Sequence, residues 1–461
     1  MAAQLRIWHT GDVHSCFDRF SGIAGFLKAN RDRERDLYLD AGDFADERSV
    51  IVSGTGGVGA VELMKSAGCD AMAVGNNEFF AGPEKLSLMA ARGLPMLSVN
   101  LRRLDGEEIQ GVLPYVILRR QGLRILVLGA DPYWPTIRGQ ESFTDMSRIL
   151  LLDPKECLSR LLPALRGQYD ICLLLSHCGL EEDRRIAAAV PGINLILGGH
   201  SHSLTPSPER VGDTWIFHSG CYGEHLGCVE LLWDGAVTEV SGRVLPNDFP
   251  PDRELSELMV SLEKQGRQAL GVPLYSIGTA LDYEPYAECP AVNALADALF
   301  SVAECDFALV NNGAVSCGIP KVISKMCLLE ACPSILNPTL VYWKGSTVLE
   351  ALRASLDPEF VRQSGRGAGF RGKTLGAMAV SKNVRIKAEP FSVTVDGEPL
   401  DPERIYAVMA DDYLFRGTGY TMLRGSVKRE RYFAGYLRDL LESKLRDEII
   451  VSGAAKKRID Y

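Results

Sequence analysis

The chain lacks several things that would have decided its class at once. No apolar run approaches the roughly 18 residues that cross a bilayer, and the opening Met1-Ala-Ala-Gln-Leu-Arg-Ile leads into a strand-like run with no hydrophobic export segment before it. The expectation is a cytoplasmic protein with no membrane partner. Cysteine is present (12 residues) but never as Cys-x-x-Cys, so neither a zinc ribbon nor a disulfide framework is indicated; reduced thiols fit the same compartment. Positive charge is in deficit: 50 Lys and Arg against 59 Asp and Glu give a net charge of −9, which argues against nucleic acid or an anionic membrane as partner. Histidine is scarce as well, with seven in 461 residues.

What is there is a soluble globular composition, 46% hydrophobic and 24% charged, in a chain long enough for two domains or more. Five apolar runs of strand length each deliver a metal-ligand side chain at their C-terminal end. Leu5–Thr10 leads to Asp12 and His14, and Leu37–Ala41 to Asp43. Ala71–Val74 leads to Asn76 and Asn77, Ile171–Leu175 to His177, and the run after Asn194 to Gly199-His200-Ser201-His202. A lone Asp or Asn after a strand is commonly a cap, but five in succession are not read as five caps. In α/β sheets that edge is where ligands sit. His200 and His202, two residues apart on an extended segment, project to one side.

Residues 1–245 alternate such strands with amphipathic segments, Leu123–Gly129 and the helix Pro154–Leu165 among them, the rhythm of a largely parallel sheet. Pro246-Asn-Asp-Phe-Pro-Pro251 punctuates the chain, and Leu255, Leu258, Met259 and Leu262 then recur at helical spacing, so that 246–271 reads as a linker helix. A second domain is expected over 272–461, with a helix at Val292–Val302 and strands at Phe307–Val310, Thr339–Trp343, Phe391–Val395 and Ile405–Met409. A closing helix is expected from Tyr432 to Leu445, and Lys456-Lys-Arg458 as a solvated tail. Gly54-Thr-Gly-Gly-Val-Gly59 matches the G-x-G-x-x-G dinucleotide pattern, but Glu47–Ser53 before it is a poor strand and no acidic residue is placed to read a ribose; it is read as a turn leading into the helix Ala60–Ala67.

With Asp12-Val-His14, Gly42-Asp43, Gly75-Asn-Asn-Glu-Phe-Phe80, His177 and Gly199-His-Ser-His202 in order, the N-terminal half resembles the calcineurin-like metallophosphoesterases. Ser219-Gly-Cys-Tyr-Gly-Glu-His-Leu-Gly227 fits the end of that domain. Leu309-Val-Asn-Asn-Gly313 and Asp412-Tyr-Leu-Phe-Arg-Gly-Thr-Gly-Tyr420 extend the resemblance to the 5′-nucleotidase/UDP-sugar hydrolase branch, which adds a C-terminal substrate-binding domain. The resemblance implies a four-layer αββα sandwich followed by a second domain of mixed α and β structure. It further implies two divalent ions, manganese, zinc or iron, one held by Asp12, His14, Asp43 and His202 and the other by Asp43, Asn76, His177 and His200, with Asp43 shared. A water made acidic by such a pair attacks phosphorus in line. The small-molecule substrate is nucleotide-like, with Asn311, Asn312, Gly313, Tyr413, Phe415, Arg416, Gly417 and Gly419 as its candidate contacts.

The chain departs from that pattern where protons are moved. The family's catalytic His is Asn77 here and the Asp that orients it is Phe80. An amide can hydrogen-bond to a phosphoryl oxygen, but it delivers no proton. Ser316 stands where the family has a phosphate-binding Arg, and no aromatic stands at Ile335–Asn337, the first of its two base-stacking positions. The leading expectation is a dinuclear-metal phosphohydrolase that prefers nucleotide-sugar type anhydrides or activated esters, with Asn77 and Asp43 at the reacting centre. A phosphodiesterase or 2′,3′-cyclic nucleotide hydrolase is the alternative within enzymes. A metal-loaded nucleotide-binding protein with little catalysis is the alternative outside them.

Overall fold

A computed structural model of the chain describes residues 3–80, 82–133, 148–367 and 369–461. They form two compact units that divide at Arg267/Gln268.

The first unit is built on two sheets. The seven-stranded sheet runs, from one edge, Val237–Pro246, His225–Trp233, Ala3–Thr10, Leu37–Asp40, Ala71–Ala73, Met96–Leu97 and Val112–Leu113; the first two pairings are antiparallel and the rest parallel. The six-stranded sheet runs Glu209–Val211, Thr214–His218, Leu195–Gly198, Ile171–Ser176, Leu123–Ala130 and Tyr115–Arg120, parallel inside and antiparallel at both edges. Strands buried on both faces need apolar side chains at every position, and Ile171–Ser176 and Leu195–Gly198 are buried throughout. Leu5, Ile7, Leu37 and Leu39 of one sheet pack against Val127, Leu173, Leu175 and Leu197 of the other, forming the central core. Helices cover both outer faces: Phe20, Ile23, Leu63 and Leu86 on the first sheet, Leu158, Leu162 and Ile186 on the second. This is the four-layer αββα arrangement that the resemblance implies.

The helix Arg253–Leu270 lies on the first unit, with Leu255 and Leu262 buried in its core. The stretch Gly54–Gly59 is explained at that contact. Val50–Thr55 is a short helix, not a poor strand, and a Cβ on Gly54 would come within 2.3 Å of Gly266 Cα. The glycine pair lets two helix backbones touch, a packing role unrelated to nucleotides.

The second unit holds a five-stranded sheet in the order Met378–Val380, Phe307–Asn311, Ile405–Asp411, Pro338–Lys344 and Arg431–Tyr432. A four-stranded sheet runs Glu398–Pro399, Ser392–Val395, Val384–Lys387 and Ile459–Asp460. The helix Pro290–Phe300 is buried along nearly its whole length. Two expectations fail here. Arg431–Tyr432 is an edge strand on Thr339 and Leu340, so the closing helix starts only at Leu437. The segment that reads as a charged tail is partly internal: Arg458 is 2% exposed and pairs with Asp297, Nη2 to Oδ2 at 2.7 Å and Nη1 to Oδ1 at 3.0 Å, while Ile459–Asp460 joins a sheet. An arginine is tolerated inside because both guanidinium ends meet carboxylate oxygens. No described helix is long and apolar enough to cross a membrane.

Candidate metal centre

Five parallel strands, three from one sheet and two from the other, end at the same place. Asp12 and His14 follow Thr10; Asp43 follows Asp40; Asn76 opens the short helix after Ala73; His177 follows Ser176; His200 and His202 follow Gly198. The loops carrying them are tightly turned, and Asp12, His14, Asp43, His200 and His202 all have positive φ, between 48° and 71°. Non-glycine residues adopt that region at a cost, so it persists where the surroundings impose it. Glu78 supplies part of that imposition: its carboxylate accepts from the amides of Gly75, Asp43 and Ala45 at 2.8, 3.0 and 2.9 Å, tying two ligand loops together.

The side chains converge in two sets. In one, His14 Nε2 and His202 Nε2 approach to 3.0 Å, with Asp12 Oδ1 3.8 and 3.7 Å from them. In the other, Asn76 Oδ1 is 2.9 Å from His200 Nδ1 and 3.2 Å from His177 Nε2. Asp43 stands between: Oδ1 is 3.3 Å from His177 Nε2 and Oδ2 is 3.8 Å from His14 Nε2. Asp12, His14 and His202, and likewise Asp12, Asp43 and His177, place one ligand atom each within 4.8 Å of one another. Behind them, His177 Nδ1 lies 2.8 Å from the Ala41 carbonyl, which can only accept; the proton is therefore on Nδ1 and Nε2 is the ring atom turned to the site.

The electrostatics suit a cation. Asp12 Oδ2 is buried with no hydrogen-bond partner, and burial raises its carboxyl to about 7 against the pull of His177. Burial, then the charge of His177, drops His200 to about 4. Burial and the charge of Asp43 raise Glu78 to about 7. Burial alone would also raise Asp43, but His177 and His14 outweigh it and hold that carboxylate low. A divalent ion stabilises the deprotonated form of such ligands and the folded state together. The donor set of carboxylate, amide oxygen and imidazole suits manganese, zinc or iron.

Asn77, which the resemblance puts at the acid position, is fixed in the same cluster. Asn77 donates from its backbone to Asp43 Oδ1 at 2.8 Å and from Nδ2 to Asp43 Oδ2 at 2.6 Å, and Nδ2 lies 3.3 Å from His14 Nδ1. Phe80 packs edge-on against Phe79, with centroids 5.5 Å apart. His9 and His218, the other histidines near these loops in sequence, are fully buried; His218 Nε2 bonds Asp183 Oδ2 at 2.7 Å and His9 Nε2 lies 3.4 Å from the Gly198 carbonyl.

In the second unit, Asn311 and Asn312 are buried, and their amides donate to main chain: Asn311 to Leu375, and Asn312 to Glu284 and Ala287. Gly313 abuts a ring that composition alone did not single out; a Cβ there would lie 2.8 Å from Phe370 Cζ. Phe370 stacks on the buried Tyr413 with centroids 4.3 Å apart and planes 21° from parallel. Gly419 also closes on Tyr413, where a Cβ would come within 2.6 Å of its hydroxyl oxygen. Arg416 pairs with Asp412 at 3.1 Å, and Gly417 takes the left-handed turn after that short helix. Phe415 lies apart from the stack, edge-on to Tyr432. The sequence signal for Phe370 is slight: one large ring in the glycine- and arginine-rich stretch 365–373.

Known proteins resemble the chain over most of its length. Residues 5–204 match the calcineurin-like phosphoesterase family and residues 272–425 match the 5′-nucleotidase C-terminal domain. An uncharacterised metallophosphoesterase of Bacillus subtilis is 28% identical over 96% of this chain and 100% of its own length. A 5′-nucleotidase of Diplobatis ommata is 26% identical over 94% of this chain and 85% of its own. Among solved structures, the NAD nucleotidase of Haemophilus influenzae superposes with a TM-score of 0.65 at 17% identity over 92% of each chain, a likeness of fold.

Proposed function

We propose that the chain, whose residues 5–204 match the calcineurin-like phosphoesterase family and 272–425 the 5′-nucleotidase C-terminal domain, is a metal-dependent phosphohydrolase that uses two ions to cleave phosphoanhydrides or activated phosphoesters of nucleotide type. Asp12, His14, Asp43 and His202 would hold one ion; Asp43, Asn76, His177 and His200 would hold the other. Such ions lower the pKa of water to near neutrality and withdraw charge from phosphoryl oxygens. The protein's own part is to hold the donors rigidly at the strand ends and to present Asn77 beside them.

The observation that carries the substrate preference is the environment of Asn77. Its amide is engaged with Asp43 and lies beside His14, and Phe80 offers no carboxylate to orient a proton donor. Asn77 can donate a hydrogen bond to a phosphoryl oxygen but cannot protonate a leaving group. Losing a general acid costs on the order of 10²- to 10⁴-fold where the leaving group needs one. A nucleoside alkoxide is strongly basic and needs it, whereas a phosphate released from an anhydride has a conjugate acid near pKa 6 and departs unaided. The stacked Phe370 and Tyr413 support a planar base as part of the ligand, admitted if the two rings part.

The test is a pair of steady-state measurements with manganese, one on AMP and one on a UDP-sugar. The UDP-sugar is expected to give the higher kcat/KM; a clear preference for AMP overturns the reading.

A further inference from the structure

Positive φ in non-glycine residues is concentrated where the metal ligands are. Asp12, His14, Asp43, His200 and His202 have it, as does Ser15 next to His14. Elsewhere, Gln121 and Asp396 precede Gly122 and Gly397 in two-residue turns between antiparallel strands, where consecutive positive φ values are what the hairpin requires, and Arg148 is an exposed loop residue. The remaining case is Tyr222, at φ 56°, followed by Gly223 at 63° and closed by a 3.1 Å bond from the Glu224 amide to the Cys221 carbonyl. The geometry is that of the two hairpin turns, yet the residue is a bulky aromatic at a position that Asn or Asp fills with less strain.

The ring has a task that those residues could not perform. It lies 5.5 Å from the His14 ring and 5.2 Å from the His202 ring, the second nearly perpendicular at 79°. The Tyr222 amide donates to the Asp12 carbonyl at 2.7 Å. One residue thus meets Asp12, His14 and His202, which make up one donor set. Arg19 pins the turn from outside, bonding the Tyr222 carbonyl at 3.4 Å and the Glu224 carboxylate at 3.0 Å.

We propose that Tyr222 is a positioning residue, its ring holding His14 and His202 so that their Nε2 atoms meet on one cation. An imidazole free to turn about its side-chain bonds must be ordered when the ion binds, and a ring wedged against two imidazoles removes that cost beforehand. The backbone strain at Tyr222 is retained because Asn, though easier in the turn, would remove this ring contact from both imidazoles.

The inference rests on reading these groups as metal ligands, and the test separates the two. The purified full chain is titrated with Mn²⁺ by calorimetry and with Co²⁺ by visible absorption, as wild type, Tyr222→Asn, Tyr222→Gly and Tyr222→Phe. Asn and Gly both suit the turn, and an unchanged far-ultraviolet circular dichroism spectrum identifies the variant that is folded and therefore scored. That variant is expected to bind the ion of one event about 10- to 100-fold more weakly, with an altered Co²⁺ band and the other event unchanged; Tyr222→Phe, which keeps the ring, should match wild type. Wild-type affinities and spectrum in both Tyr222→Asn and Tyr222→Gly overturn the proposal, as does a Tyr222→Phe protein as impaired as they are. A wild-type chain that binds no cation overturns the ligand reading itself.

Discussion

The metal end of the first unit and the aromatic stack of the second differ in backbone strain and in how closely their side chains meet one another. At the strand ends, Asp12 Oδ2 is buried without a partner, two imidazole nitrogens stand 3.0 Å apart, and five of the proposed ligands sit in strained backbone. In the second unit Phe370 and Tyr413 close on each other, Arg416 pairs with Asp412, and the amides of Asn311 and Asn312 are bonded to main chain. The first region gathers coordinating groups on a strained backbone, while the second is packed like ordinary core.

The largest test of that contrast is Asp43→Asn. Asn tolerates the positive φ at this position, so the change removes the shared charge with little disturbance to the loop. Manganese-dependent hydrolysis of bis-p-nitrophenyl phosphate should fall on the order of 10³-fold or more, the several kcal/mol that metal stabilisation supplies, and elemental analysis should show the loss of bound metal. Next comes repair of the proton donor. The double variant Asn77→His, Phe80→Asp should raise kcat/KM on AMP by on the order of 10²-fold or more; an unaltered rate would show that alkoxide departure is not what limits this chain. In the packed region, Phe370→Ala should raise KM for a UDP-sugar about tenfold, the worth of one stacked base.

The smallest effect is a pH-dependent one. Asp411 is fully buried, and burial lifts its carboxyl to about 7, against the bond it accepts from the Leu414 amide. Its unfolded value is about 3.9. Between these values the folded chain holds a proton that the unfolded chain has lost, so the contribution of Asp411 to stability declines as pH rises from about 4 to about 7 and is flat above. Asp411→Asn removes that decline. Its advantage in melting temperature should therefore grow over that interval and then level off, and an advantage that shrinks with rising pH would contradict the burial argument.

These contrasts also account for what could be read in advance. The run Ile171–Leu175 and its His177 announce themselves because a strand buried on both faces is continuously apolar and the ligand comes where it stops. Phe370 is invisible by the same logic: it belongs to a glycine-rich stretch with no periodicity, and its partner Tyr413 is 43 positions away (413 − 370). Arg458 misleads in the other direction. Lys456-Lys-Arg458 has the composition of a solvated segment, yet Asp297, 161 residues earlier, and the Val380 carbonyl accept from the third residue and hold it inside. Gly54 resembled a phosphate loop because a close approach of two helices asks for the same residue as a close approach to phosphate.

The Asp297–Arg458 pair has a bearing on how the chain matures. The helix Pro290–Phe300 is buried along most of its length, yet Asp297 meets its guanidinium only after another 161 residues have been made. During vectorial synthesis at roughly 5–20 residues per second, that carboxylate waits through most of the second unit's translation before its counter-charge leaves the ribosome. The first unit holds core clusters of its own, whereas this pair in the second cannot close until residue 458 arrives.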